Sequence, residues 1–262
     1  MTMKTVPVTS GMFCWFELTT HDAARGAAFY RDLMRAATRG LPLHDGDLRE
    51  YVLFDVEGQT VAGLMPMGKE FPPASASHWL PYVAVDNVDT VAARVPQLGG
   101  RVCCGPSDIP IGRFAVVADP TGGTFALFHP TPGKTDGTNP VGPGAFVWCE
   151  LVTSDIARSS EFYAKLLGWT PEFRTAGASS FIEMKAGKQS VASVFEACAD
   201  ESSLAHWCPY LCVDDIHARL ADAVRLGATK LCEPMDIPGV GLYAGVTDPT
   251  GAHIALYQPI PT

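Results

Sequence analysis

Phe146 to Trp169 reads FVWCELVTSDIARSSEFYAKLLGW, and Phe13 to Leu33 reads FCWFELTTHDAARGAAFYRDL. In the first of these, Phe146 to Val152 alternates and carries aromatic and branched side chains, the pattern of a half-buried strand. Ser154 and Asp155 then offer N-caps. Ile156, Ser159/Ser160, Phe162/Tyr163, Leu166 and Leu167 recur at helical spacing, and Gly168 stops the helix. The earlier stretch repeats Trp, Glu, Leu, Thr, Asp, Ala, Arg, Phe, Tyr and Leu at a constant offset of 133 residues. Ten matches in a span this short are not a chance event, so the chain carries an internal duplication.

Working outward, the duplication extends to both ends. Ser77 onward, SHWLPYVAVDNVDTVAARVPQLGG, predicts a strand to Val85, a cap region at Asp86/Asp89, a helix to Leu98 and a Gly-Gly stop. AHWCPYLCVDDIHARLADAVRLGA from Ala205 repeats His-Trp-x-Pro-Tyr-x-x-Val-Asp at an offset of 128. Each half closes on Asp-Pro-Thr-Gly, at Asp119–Gly122 and Asp248–Gly251. Pro second and Gly fourth after Asp is tight-turn chemistry, so both aspartates are read as turn residues and not as catalytic groups. Further strands are expected near 50–56, 59–65, 101–105, 114–118, 124–128, 180–185 and 189–195. Thr131–Gly144, TPGKTDGTNPVGPG, lacks apolar periodicity and reads as a linker; residues 1–12 read as a loose lead-in. The expected division is 1–131, a linker at 132–144, and 145–262.

Bulk properties exclude several classes. A chain of 262 residues with 47% hydrophobic and 18% charged residues has the makings of two ordinary globular cores. A net charge of -9 disfavours nucleic acid and anionic membranes as partners, since both call for basic patches. The first residues lack a signal-peptide core, and no apolar run has the length of a membrane span. A cytoplasmic protein, monomer or homodimer, with a small-molecule partner is the expectation. The 8 cysteines form no CxxC pair, so most are expected to be buried thiols in apolar strands.

Two strand–helix starts per half and hairpins after each predict four βαβββ units. With starts of the form WxELxTxDxxxxxxFYxxL and HWxPYxxVD, and DPTGxxxAL at the ends, the chain resembles the vicinal-oxygen-chelate superfamily. That superfamily includes glyoxalase I, bleomycin-resistance proteins and extradiol dioxygenases. The resemblance spans nearly all of 13–258. It implies an α+β fold of two tandem domains, each of two paired βαβββ modules curled into an incomplete barrel around a cavity. It also implies metal ligands seven residues before the helix-capping Asp and seven after the Asp of the turn. Those positions hold Trp15, Trp148, Ala126 and Ala255, with Leu80 and Cys208 in the second and fourth units. Trp, Leu and Ala offer no side-chain ligand for a divalent ion, so the usual set is absent and no metal residue is assigned.

Side chains two apart on a strand face the same way. Glu17 and Glu150 therefore share a face with Trp15 and Trp148. His78 and Tyr82 accompany Leu80, His206 and Tyr210 accompany Cys208, and His253 stands two before Ala255. Glu17 and Glu150 are the catalytic candidates, because a carboxylate among aromatics is costly unless paired or solvated. The alternative is that they hydrogen-bond neighbouring strands and brace the barrel. Trp15, Tyr82, Trp148 and Tyr210, with His78, His206 and His253, are the ligand-binding candidates; core packing and strand-start capping are the plainer roles. Trp79 and Trp207 face the helices by the same parity. Two functions follow. One is a glyoxalase-like or bleomycin-resistance-like protein holding a small aromatic or hydrophobic molecule without a cofactor. The other is a metal-dependent enzyme of glyoxalase or dioxygenase type, acting on a carbonyl or phenolic substrate through a displaced Glu/His site.

Overall fold

The computed structural model describes residues 3–43, 47–72, 74–176, 179–197 and 205–260; His44 and Cys198 lie outside them. The first half runs β1 (Lys4–Pro7), β2 (Phe13–Thr20), α1 (Ala23–Met34), β3 (Ala37–Pro42), β4 (Glu50–Val56), β5 (Gln59–Pro66), β6 (His78–Ala84), α2 (Val88–Arg94), β7 (Arg101–Ile109), β8 (Gly112–Ala118) and β9 (Thr124–Pro130). After β10 (Thr138–Val141) the second half runs β11 (Phe146–Thr153), α3 (Ile156–Leu167), β12 (Thr170–Ala176), β13 (Ser179–Ala186), β14 (Gln189–Glu196), β15 (His206–Cys212), α4 (Ile216–Arg225), β16 (Thr229–Lys230), β17 (Met235–Ile237), β18 (Gly241–Thr247) and β19 (His253–Pro259).

Two mixed sheets result, ordered β3-β4-β5-β2-β6-β9-β8-β7 and β12-β13-β14-β11-β15-β19-β18-β16, with β17 also on β18. Each half thus joins two βαβββ modules through antiparallel first strands, β2 to β6 and β11 to β15. Asp22 and Asp155 do what their positions predict, accepting the Arg25 amide at 3.1 Å and the Arg158 amide at 2.9 Å, whereas α2 is capped by Asn87, which accepts the Thr90 amide at 2.8 Å, and not by Asp86 or Asp89. Gly168 ends α3 at φ 73°, a left-handed conformation that costs a glycine nothing.

Three further local expectations are corrected. α2 stops at Arg94 and gives way to a short 3-10 turn, Pro96–Leu98, because Pro96 has no amide to continue an α-helix. The lead-in and the linker are ordered against each other: β1 pairs antiparallel with β10, Lys4 opposite Val141. The thiols are less buried than their apolar neighbours suggested. Among the described cysteines only Cys149 and Cys212 are buried, while Cys103 and Cys104 are exposed on β7, a sheet-edge strand with one neighbour.

The helix-bearing faces of the two sheets share one apolar core. Phe16 meets Phe146 at 5.1 Å, Phe13 meets Trp207 at 5.4 Å and Trp79 meets Phe146 at 4.7 Å between ring centroids. Trp79 and Trp207 are buried there, as strand parity required. A polar chain crosses the junction twice. Trp79 Nε1 donates to Tyr30 Oη (2.9 Å), which donates to Asp248 Oδ2 (2.7 Å). Trp207 Nε1 donates to Tyr163 Oη (3.2 Å), which donates to Asp119 Oδ2 (3.1 Å). The turn aspartates of one half therefore anchor the helix tyrosines of the other.

Candidate functional site

The opposite, helix-free face of each sheet carries the predicted cluster. Pairing places Trp15 beside Tyr82 and Tyr82 beside Ala126; Trp148, Tyr210 and Ala255 make the matching row. One step along, Glu17 lies between Gly63 and Leu80, and Glu150 between Ser193 and Cys208. The residues predicted around each Glu thus do converge, but the two halves use them differently.

In the first half the face is sealed. Glu17 is 5% exposed, beneath Tyr82, whose hydroxyl donates to Oε2 at 3.1 Å. Tyr51 hydrogen-bonds the same carboxyl and accepts Trp15 Nε1–H at 2.8 Å. Leu80, Tyr82, Ala126 and Phe128 close into a small apolar cluster, with Cys14, Trp15, Phe114 and Val116 packed on it. Burial pushes the Glu17 carboxyl up to about 7, opposed by the Tyr51 and Tyr82 hydrogen bonds. His78 sits one row away opposite Thr19, its Nδ1 paired with the Ala76 carbonyl at 2.9 Å. That is a strand-start cap.

In the second half the face is less covered. Glu150, Cys208 and Tyr257 are half-buried where Glu17, Leu80 and Phe128 are buried, while Trp148, Tyr243 and His253 match the half-buried Trp15, Phe114 and Thr124. Trp148 Nε1 donates to Ser193 Oγ (3.0 Å), Ser193 Oγ to Glu150 Oε2 (3.4 Å), and Tyr210 Oη to the same oxygen (2.8 Å). Both donors fall on Oε2, so Oε1 takes no hydrogen bond from the described residues. Burial again pushes this carboxyl up to about 7, with the Tyr210 and Ser193 hydrogen bonds pulling it down. Tyr210 stacks on Tyr243, centroids 6.2 Å apart, and lies tilted against Tyr257 at 6.5 Å. His206 and His253 meet edge to face at 5.0 Å; Thr124 holds the corresponding place of His253 in the first half. Clefts of about 230 and 450 Å³ open elsewhere, along the β1–β10 segment and between α2 and α3, and neither includes Glu150.

Sequence reasoning missed Tyr51, Ser193, Tyr243 and Tyr257. All four lie on the predicted face by period-two parity, but only strand register shows which of them reaches the Glu or the Tyr rows.

A family model described as a glyoxalase-like domain matches residues 147–257, the half with the less covered face. A protein named "Putative glyoxylase CFP32" from Mycobacterium bovis is 31% identical over 250 residues, 94% of this chain and 94% of that protein. The chain belongs to the vicinal-oxygen-chelate superfamily. Within that superfamily, the anthracycline biosynthesis protein DauV of Streptomyces sp. (strain C5) is 30% identical, covering 95% of this chain and 93% of its own. Two solved structures share the fold. The 2,2',3-trihydroxybiphenyl 1,2-dioxygenase of Sphingomonas wittichii strain RW1 has a TM-score of 0.64 at 14% identity, covering 95% of this chain and 91% of that one. The Mn(II)-bound glyoxalase of Novosphingobium aromaticivorans has a TM-score of 0.64 at 15% identity, covering 97% and 83%.

The chain's residues do not fit a divalent ion at the positions the superfamily resemblance points to. Trp15 and Trp148 are committed as hydrogen-bond donors, and Ala126 and Ala255 have no ligand atom. Among the described residues no three His, Cys, Asp or Glu side chains cluster as a metal would require. No described helix is long and apolar enough to cross a membrane.

Proposed function

We propose that this protein binds a planar aromatic molecule on the helix-free face of its second half, with Glu150 as the polar anchor. One observation carries this: Glu150 is held by Tyr210 and Ser193 on a less covered aromatic face, while its duplicate Glu17 is sealed. A carboxyl oxygen without a described protein donor, set among Trp148, Tyr243 and Tyr257, can accept a ligand hydroxyl while the rings take an aromatic plane. The relatives named for anthracycline biosynthesis, DauV and DnrV, support an aromatic ligand class. In this division, residues 1–131 serve as a structural half and 145–262 as the ligand-binding half, joined at 132–144.

The test is a fluorescence titration with a dihydroxyanthraquinone. Wild type should quench with saturation at one equivalent, and Trp148→Phe should lose most of that quenching. Glu150→Gln should weaken binding about tenfold, the worth of a hydrogen bond to a charged acceptor. A loss in Glu17→Gln as large as that in Glu150→Gln would overturn the assignment to the second half. Protein incubated with Mn, Fe, Ni or Zn that retains a stoichiometric ion, lost in Glu150→Ala, would replace this function with the metal-dependent one.

A further inference from the structure

Among the positions at which the two faces differ, one pair differs in a reciprocal way. β4 and β5 pair Leu53 with Gly63 and Val52 with Leu64; β13 and β14 pair Glu183 with Ser193 and Ile182 with Val194. Tyr51 of the first half therefore corresponds to Phe181 of the second, and Gly63 to Ser193. In the first half the phenol reaches over the glycine. A Cβ on Gly63 would lie 2.0 Å from the Tyr51 hydroxyl oxygen, so this reach requires glycine beneath it. The Tyr51 hydroxyl then occupies the space between Trp15 Nε1 and Glu17. In the second half the Ser193 hydroxyl makes the equivalent bridge from Trp148 to Glu150 with two heavy atoms instead of a ring. Phe181 stacks on Phe195 instead, centroids 4.9 Å apart and planes 12° apart.

We infer that the Phe181/Ser193 pair is the determinant that keeps the second face receptive, and that Tyr51/Gly63 is the built-in plug that closes the first. The inference deepens the proposed ligand site and rests on it. Ser193 is a positioning residue: it is buried, 3% exposed, and it holds both the indole and the carboxylate that the ligand would meet. Phe181 sets access, because its ring carries no hydroxyl to pull it across the row. Neither substitution closes the site alone. A tyrosine at 181 would meet the Ser193 side chain, as the Gly63 Cβ distance shows, and a glycine at 193 only removes the bridge. Together they recreate the arrangement that the first half already folds with.

The experiment is a double-mutant cycle read two ways. In the dihydroxyanthraquinone titration, Phe181→Tyr and Ser193→Gly should each weaken binding severalfold, and the double variant by about a hundredfold, beyond the product of the singles. The reciprocal double variant Tyr51→Phe/Gly63→Ser should raise the stoichiometry from one to two. The second readout needs no ligand. A water-soluble carbodiimide with a small amine, followed by peptide mass spectrometry, should modify Glu150 and spare Glu17 in wild type. Glu150 should become protected in Phe181→Tyr/Ser193→Gly, and Glu17 reactive in Tyr51→Phe/Gly63→Ser. Wild-type labelling of both Glu residues alike, or unchanged labelling in folded double variants, overturns the inference. Failure of wild type to bind the anthraquinone with the labelling pattern intact overturns only the ligand assignment above, so the two failures are distinguishable.

Discussion

Asp248→Ala and Asp119→Ala should each lower unfolding stability by about 3–5 kcal/mol, the largest loss expected from a single substitution outside the hydrophobic core. Asp248 is 4% exposed and Asp119 is 3% exposed. Asp119 accepts the amides of Thr121, Gly122 and Gly123, the Thr121 hydroxyl and the Tyr163 hydroxyl. Asp248 accepts the Thr250 and Ala252 amides, the Thr250 hydroxyl and the Tyr30 hydroxyl. Alanine leaves the buried Gly123 and Ala252 amides and the buried tyrosine hydroxyl of each turn without their acceptor, and a buried donor left unpaired costs far more than a solvated one. The tyrosine is lost to the other half at the same time. Tyr30→Phe removes two links, the bond to Asp248 and the acceptor of Trp79 Nε1, but leaves the turn amides paired, and should cost about 1–2 kcal/mol. Urea unfolding followed by circular dichroism decides the matter. Because the halves share one core, each variant should still unfold in a single transition. Midpoints unchanged for both aspartates would mean that the cross-half chains add nothing to the fold.

Glu17→Gln should make the protein more stable at pH 8 while leaving stability near pH 4 almost unchanged. The folded carboxyl titrates at about 7 against an ordinary 4.5, so the fold holds this proton more tightly than the unfolded chain does. The favourable contribution is complete below the unfolded value and is lost as pH rises through 4.5 to 7. Above that window the folded protein bears the burial of a charge, worth about 3 kcal/mol for a shift of this size. Glutamine keeps a neutral acceptor for Tyr51 and Tyr82 and removes the titration. The gap between Glu17→Gln and wild type should therefore open between pH 5 and pH 8 in urea midpoints. Parallel pH profiles would show that Glu17 is solvated and its face open.

Much of the fold was legible because repetition speaks through residue type. The matching starts at Phe13 and Phe146, the second starts at His78 and His206, and the Asp-Pro-Thr-Gly turns define four modules without reference to any contact. Parity alone placed Trp79 and Trp207 in the core and Glu17 and Glu150 on the other face. β1 and β10 were not legible, because their four-residue pairing is set by the partner strand and not by an apolar pattern. The candidate site was legible as a face and not as a network. Tyr51 and Ser193 come from later strands of their modules, β4 and β14, and their roles depend on register across strands distant in sequence.

The sequence by itself determined the duplication, the α+β modular fold and the absence of ligand atoms at Trp15, Trp148, Ala126 and Ala255, since side-chain chemistry and period are local properties. Only the tertiary structure decided that the two duplicated glutamates have different lives. Tyr51 over Gly63 buries Glu17, whereas Ser193 bridges Glu150 and leaves it on a less covered face. That difference arises from which side chain lies across which strand, since close packing lets the Tyr51 ring lie over Gly63 but not over a serine.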